Sequence, residues 1–539
     1  MIFIGIISFI NDNIVWGTPM LCLMLFTGVM FTVRTGFFQL RKFPAILKST
    51  VLAKSDNRDA DSVSPFAAMC QALAATLGTG NIAGVSTAIA IGGAGAVFWM
   101  WISALFGMMT GFAENILGML YRRKVNGEFK GGAMLYIRDG LSESPKTRPF
   151  ARPLSVIFAA LCVLAGFGMG NAAQMNSASE ALNTSFGVPP IVTGTVLAVL
   201  AAVIVFGGVK RISAFTARLV PFMSAFYIIG CLYIIIANGS ELPSVLGNIV
   251  KSAFGLTQIG GGVAGVTVKT AVSMGFKRGV FSNEAGLGTS VFAHISSGVK
   301  SPVVCGMWSV FEIFFDTIIM CSLTALVLLT GNCHSEKISV VDVNEKTQYC
   351  RLTESESLIT DGIELPETIR LHTIQGEYLE TETSGGTTHS NIIAVTGIAD
   401  ESGHITSAKI EPLNGVGLAA YAFSAKFGRF AGAVLSVLVV MFAFSTVIGW
   451  CYFGGEAISF LFGDGAKKPY CAVFIAFSVI GATVNMSVAW GISDMLNGLM
   501  AVPNLIAVLC LRKKVFAEVR EYSHGKVPEK KKPKIAVKT

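Results

Sequence analysis

The sequence predicts an all-α integral membrane protein with about 11 transmembrane helices. Three observations lead there. Hydrophobic residues make up 52% of the 539 and charged residues only 14%, with a mean hydropathy of +0.63, whereas a soluble domain carries about 25% charge. Apolar runs long enough to span a bilayer, about 20 residues each, recur at 13–33, 65–91, 95–121, 153–181, 189–208, 213–237, 262–296, 302–331, 430–462, 470–488 and 490–512. The basic residues fall into alternate connections between those runs, as the positive-inside rule requires.

The first run leads into a basic segment with Arg34, Arg41, Lys42, Lys48, Lys54 and Arg58. Its part from Phe37 to Lys48 mixes apolar and basic residues. It reads either as a helix lying at the membrane interface or as a loop that merely follows the charge pattern. Arg122, Arg123, Lys124 and Lys130 follow the third run, Lys210 and Arg211 the fifth, Lys300 the seventh, Lys467 and Lys468 the ninth. The tail carries Arg512, Lys513 and Lys514, then Lys526, Lys530, Lys531, Lys532 and Lys534. With 11 spans all of these share the cytoplasmic side, which puts the N-terminus outside and the tail inside. The net charge of +8 is therefore a matter of topology and does not point to nucleic acid. No removable signal peptide is evident at the start. The 11 cysteines show no metal-ligand spacing and mostly read as small hydrophobes.

The second run, 65–91, contains Gly78-Thr79-Gly80-Asn81 at its middle. Each glycine costs about 1 kcal/mol relative to Ala inside a helix. A backbone broken at membrane depth is tolerated where it is buried in protein or lines a cavity. The stretch is thus a binding site in a discontinuous helix or a small-residue packing face.

Setting the first span aside leaves five runs over 65–237 and five over 262–512. An odd number per half gives the halves opposite orientations, as in inverted-repeat transporters. The leading run of the second half should then also be broken. Ser273-Met274-Gly275-Phe276-Lys277-Arg278-Gly279 interrupts its apolar pattern, and Phe281-Ser282-Asn283-Glu284-Ala285-Gly286-Leu287-Gly288 follows. Paired interruptions in corresponding segments point to a substrate site.

A polar segment, about 332–414, separates the eighth and ninth runs. It holds 14 acidic against five basic residues between 332 and 411, and its Thr, Val and Ile content with Gly turns suggests a strand-rich insertion on the outer side. Cys333 and Cys350 lie in it and read either as a disulfide or as two free thiols. The resulting division is 1–62, an N-terminal helix and cytoplasmic interfacial segment; 63–238, the first repeat; 239–331, an outer connection and the start of the second repeat; 332–414, the acidic insertion; 415–514, the rest of the second repeat; and 515–539, a basic cytoplasmic tail.

Several motifs resemble those of the alanine or glycine:cation symporter family. They are Leu77-Gly78-Thr79-Gly80-Asn81-Ile82-Ala83-Gly84, Ala96-Val97-Phe98-Trp99-Met100-Trp101, Gly131-Gly132-Ala133-Met134, Phe281 to Gly288, Phe442-Ala443-Phe444-Ser445-Thr446-Val447-Ile448-Gly449-Trp450, and Asn497-Gly498-Leu499-Met500-Ala501-Val502-Pro503-Asn504. They come in family order and cover nearly the whole chain; the acidic insertion is the main departure. The resemblance implies a leucine-transporter-type core of five plus five inverted helices behind one extra helix, in a bacterial inner membrane. It implies sodium-driven uptake of a small neutral amino acid, alanine or glycine, by alternating access. The alternative is another small zwitterion on the same fold, or protons as the driving ion.

A zwitterion needs neighbouring anion and cation sites. Amides of Gly78, Thr79 and Gly80 suit a carboxylate, and Asn81 beside them is expected to contact the substrate as well. By the resemblance, carbonyls of Ala74, Leu77 and Phe442 with the hydroxyls of Ser445 and Thr446 would hold sodium; on the residues alone, Ser445 and Thr446 would back-bond to their own helix. Trp450 lies four residues after Thr446, on roughly the same face, and would wall the pocket or face lipid. Gln174 would bond the substrate or join helices. Phe276 would close over the substrate or pack, and Asn283 would face the site or tie helices. Of the acids in the runs, Glu284 and Asp316 stand out for structural pairing or gating. An embedded enzyme lacks support: no HExxH or GxSxG occurs within a run, and His294 shows no evident partner. A channel would lack coupling. No organic cofactor, nucleic acid or obligate protein partner is expected.

Overall fold

The computed structural model describes residues 9–50, 63–125, 128–255, 268–331, 415–484 and 486–524, together with strands within the insertion. Every expected apolar run holds helix. Six helices are long and apolar enough to cross a membrane: Gly95–Tyr121, Arg148–Phe186, Gly208–Ala237, Pro302–Thr330, Phe430–Phe462 and Val488–Cys510. A seventh span is the bent pair Pro65–Thr76 and Thr79–Gly92. Thr18–Arg34 and Pro190–Val205 are shorter apolar helices, and Lys467–Thr483 covers the tenth run. The protein is an all-helical, multi-pass membrane protein with a small β insertion.

Local chemistry sets the ends. Ser64 caps the first half of the bent pair through Ala67 N (3.2 Å), with Pro65 in the first turn, where its missing N–H is no loss. Ser301 and Pro302 repeat the device through Val304 N (3.4 Å). Outward faces are apolar in helical register: Phe222, Phe226, Ile229, Tyr233 and Ile236 of Gly208–Ala237 are all exposed. That spacing makes one stripe, and the bilayer is its solvent. Polar side chains turn inward instead, as Glu114, Glu312, Asp316 and Asp494 do.

The segment after the first span forms two short helices, Phe38–Arg41 and Phe43–Thr50. Phe43 stacks edge-on with Phe314 at 4.7 Å. The insertion is strand-rich, as expected, with a two-stranded sheet of Ile338–Asn344 and Lys346–Arg351 and a three-stranded sheet of Gln375–Tyr378, Ile393–Ala399 and Ile405–Pro412. The pairing of Cys333 and Cys350 lies outside the described residues, as do the lysines of the tail from Lys526 onward. Several elements have no counterpart in the sequence expectation, among them helix Leu242–Ala253 after the sixth run and helix Arg512–Ser523 in the tail. A helix, Gly415–Phe427, precedes the ninth run, and a hairpin, Arg123–Val125 with Glu128–Lys130, follows the third.

The second broken span differs from the sequence expectation. Helix Val268–Asn283 runs straight through Ser273–Gly279. The break comes later, at Glu284 (φ 56°), Gly286 (φ 90°) and Gly288 (φ 72°), before Ser290–His294 resumes the helix. Lys277 and Arg278 mimic a break, but both reach Asp494, at 3.0 and 3.1 Å.

Candidate functional site

The first break bends its two half-helices by 60°. Gly78 is extended (φ −119°, ψ −156°), so its backbone does not demand glycine. Close approach does: a Cβ there would sit 2.6 Å from Thr446 Oγ1 and 2.8 Å from Gln174 Oε1. The extended residue releases two carbonyls. Gly78 N–H donates to Thr76 O (2.8 Å) and Asn81 Oδ1 (3.1 Å) instead of Ala74 O. Asn81 N–H goes to Gly78 O (3.4 Å) instead of Leu77 O.

Both released oxygens meet Thr446, on the long helix Arg429–Phe462. Its Oγ1 lies 3.1 Å from Ala74 O, 3.4 Å from Leu77 O and 3.1 Å from Phe442 O. Ser445 Oγ is 2.8 Å from Phe442 O. Three carbonyls therefore converge on the Thr446 hydroxyl, and a hydroxyl has a single hydrogen to give. Thr446 can donate to only one carbonyl, which leaves oxygen lone pairs facing one another. This donor set fits a hard cation, which prefers oxygen ligands. Ala74, Leu77, Phe442 and Thr446 are thus brought together, while Ser445 Oγ reaches only Phe442 O and Met223 Sδ (3.9 Å) among the described residues.

The amide side is already occupied by protein. Thr79 N–H and Thr79 Oγ1 both donate to Gln174 Oε1 at 3.0 Å, and Gln174 Nε2 donates to Met169 O at 3.1 Å. Gln174 emerges from a π-helical turn, Gly168–Ala172, in the middle of Arg148–Phe186; such turns recur at functional sites. Asn81 points elsewhere, donating to Ser282 Oγ (2.9 Å) and Asp316 Oδ1 (2.7 Å). Asp316 also accepts from Ser282 (2.7 Å) and Thr317 (2.8 Å), so this carboxylate pins both broken spans to Pro302–Thr330. Asn283 donates to Thr317 Oγ1 (3.0 Å) and accepts from Ala285 N (3.0 Å); it ties helices.

Trp450 is fully buried. Its Nε1 donates to Glu284 Oε1 at 2.8 Å, and Thr289 donates to the other oxygen of the same carboxylate. Glu284 thereby joins the second break to the long helix. Phe276 stands apart from this group. It faces Trp99, with ring centres 6.4 Å apart, and borders a small cavity with Ser103 and Ala285, because the span is still continuous helix where it sits.

Sequence reasoning missed two partners. His294 Nε2 lies 2.7 Å from Glu312 Oε2, both buried. Asn504, in the last motif, donates to Gly286 O (2.8 Å) and to Glu114, and accepts from Tyr136. The Pro503-Asn504 pair inside a span was the available signal.

The profile of the sodium:alanine symporter family matches residues 2–357 and 387–537. The chain belongs to that family. The sodium:alanine symporters are transporters, not enzymes, and the family's name carries sodium coupling to an amino acid. Among relatives, the sodium/alanine symporter AgcS of Methanococcus maripaludis is 35% identical over 533 residues, 98% of this chain and 100% of its own. The probable sodium/glutamine symporter GlnT of Bacillus subtilis is 30% identical, covering 96% and 90%. The amino-acid carrier protein AlsT of the same organism is 31% identical, covering 92% and 87%. A solved manganese transporter of Eremococcus coleocola aligns with 84% of the chain and 78% of its own at a TM-score of 0.43 and 14% identity, too distant to bear on the fold. The family profile skips 358–386, inside the insertion.

Proposed function

We propose that this chain imports a small neutral amino acid, alanine or glycine, together with sodium, by alternating access. The core in this reading is five plus five inverted helices, with 65–92 and 268–294 as the paired broken spans. The amino terminus lies outside and the carboxyl terminus in the cytoplasm. The observation that carries the sodium reading is Thr446 Oγ1 at 3.1 and 3.4 Å from the released carbonyls of Ala74 and Leu77.

Sodium between those oxygens would join the first broken span to the long helix. It adds charge where lone pairs now face one another, so it is held in the arrangement that keeps the two helices together. The substrate carboxylate would take the amides of Gly78, Thr79 and Gly80, beside the positive end of a half-helix. Thr79 is now capped by Gln174, so the carboxylate would displace Gln174 Oε1 and inherit its two donors. Trp450, oriented by Glu284, would bound the pocket. Asn81, Asn283 and Asp316 would hold the two breaks in register and touch no substrate.

The test is uptake of labelled alanine into proteoliposomes with and without an inward sodium gradient. Several-fold faster uptake with the gradient is expected. Equal uptake in both would overturn sodium coupling.

A further inference from the structure

One cation, Arg278, and two aromatic rings lie against the first broken span at Gly80 and Gly84. Arg278 and Trp490 are 5% and 6% exposed. The guanidinium carbon sits 4.7 Å from the Trp490 ring centre and 5.6 Å from that of Phe281, and those two rings stack at 4.6 Å. The cluster touches the broken span itself. A Cβ on Gly80 would come within 3.1 Å of Phe281, and one on Gly84 within 3.8 Å of both Arg278 Cδ and the Trp490 ring.

Arg278 directs its two terminal nitrogens to Asp494, at 3.2 and 3.1 Å, a carboxylate that Lys277 also reaches at 3.0 Å. Two buried nitrogens of the cluster, Arg278 Nε and Trp490 Nε1, are left without any partner among the described residues. A buried N–H without a partner is costly enough that native structures rarely keep one. Neither group can accept a hydrogen bond, so water, which brings its own hydrogens, is a poorer complement than an anion. The guanidinium adds positive charge in a low-dielectric setting, where a charge-assisted bond is strongest.

We infer that Arg278 and Trp490 form a binding site for a small monovalent anion, a halide or a carboxylate, beside the first break. As a halide site it would be independent of the transported solute. As a carboxylate site it is a stop for the amino acid on its way to the Gly78–Gly80 amides, and in that form it rests on the symport reading above.

The experiment uses the full chain in lipid nanodiscs at fixed sodium, with gluconate replaced stepwise by chloride or by acetate while thermal unfolding is followed. A ligand that binds only the folded state raises the melting temperature saturably. The key variant is Trp490→Phe, which keeps the stacked ring and removes only the N–H. Saturable stabilisation of the wild type by chloride or acetate is expected, with an apparent Kd about fivefold weaker in Trp490→Phe, the worth of one hydrogen bond. A response to chloride alone assigns an inorganic anion. A response to acetate assigns the carboxylate, and Trp490→Phe should then raise the KM for alanine at unchanged maximal rate. Wild type and Trp490→Phe responding alike, or no stabilisation beyond gluconate, would overturn the site. Sodium-driven alanine uptake by the same two proteins is measured alongside. Its absence in the wild type refutes symport and leaves the titration result intact; a negative titration in a protein that transports refutes only the anion site.

Discussion

Thr446 faces three carbonyls with one hydroxyl hydrogen, and that mismatch can be probed by removing the oxygen. Thr446→Val keeps the shape and deletes the ligand. Losing one of these four oxygens should raise the sodium concentration for half-maximal uptake about tenfold, an effect of about 1.4 kcal/mol. Thr446→Ser should remain near wild type, and a sodium titration of alanine uptake checks both. The pair His294 and Glu312 is a second residue-scale case. Removing one member of a buried pair costs about 3–5 kcal/mol, whereas replacing both with apolar residues is often nearly neutral. His294→Leu should therefore lower the melting temperature sharply, and His294→Leu with Glu312→Leu should recover most of the loss. If the double variant is less stable than either single one, the pair has a role beyond mutual satisfaction.

At the scale of elements, the second break depends on left-handed backbone, and its glycines are unequal. Alanine at φ > 0 is strained by about 1–2 kcal/mol. At Gly286 the nearest atom to an added Cβ is Leu505 Cδ2 at 3.3 Å, whereas at Gly288 it would meet Ala133 Cβ at 2.8 Å and Asn504 Oδ1 at 3.0 Å. Gly288→Ala should destabilise by roughly 1–3 kcal/mol more than Gly286→Ala, through overpacking added to strain; thermal unfolding of the two variants gives the comparison. The first break is legible in the sequence because Gly-Thr-Gly-Asn interrupts an apolar run with no charge to confuse it. The second is displaced from its expected place by about a turn and a half or more. Lys277 and Arg278 look like the interruption, while their partner Asp494 lies 216 residues beyond Arg278, where no periodicity reveals it. Phe276 is drawn into the expected site by the same error. The sodium ligands are found by resemblance, since Ser445 and Thr446 alone are as well explained by bonds to their own helix, and both do make such bonds to Phe442 O. Gln174 does stand at the break, but its bond to Thr79 could not be read from two segments 95 residues apart.

At the scale of the whole molecule, a cavity of about 280 Å³ opens among Val63, Ser296, Cys451, Lys210, Lys467 and Lys468. The lysines are those that the charge pattern assigns to the cytoplasm. Lys468→Cys, in a background without other reactive thiols, should react with a membrane-impermeant maleimide in inside-out vesicles and stay unlabelled in intact cells. The opposite pattern would invert the proposed orientation. On the other side of the first break, Arg278, Asp494, Phe281 and Trp490 are buried, with the Phe281 and Trp490 rings stacked. In the proposed orientation the cavity lies on the cytoplasmic side, and its lining includes neither the first break nor the cation oxygens.

The 60° bend gives that asymmetry a mechanical meaning. The half-helix Pro65–Thr76 has 12 residues, a rod about 18 Å long at 1.5 Å per residue. Its fulcrum is at Leu77, beside the cation oxygens, and its far end is at Val63, on the rim of the cavity and bridged to Ser297. A swing of about 10° about that fulcrum carries the far end about 3 Å along an 18 Å arm, the width of a water molecule. In the transport reading a sub-ångström tightening of oxygens around an ion would thereby be geared up at the cavity mouth, carrying Ser297 with Val63, and the stiffness of one short helix would set the gear ratio.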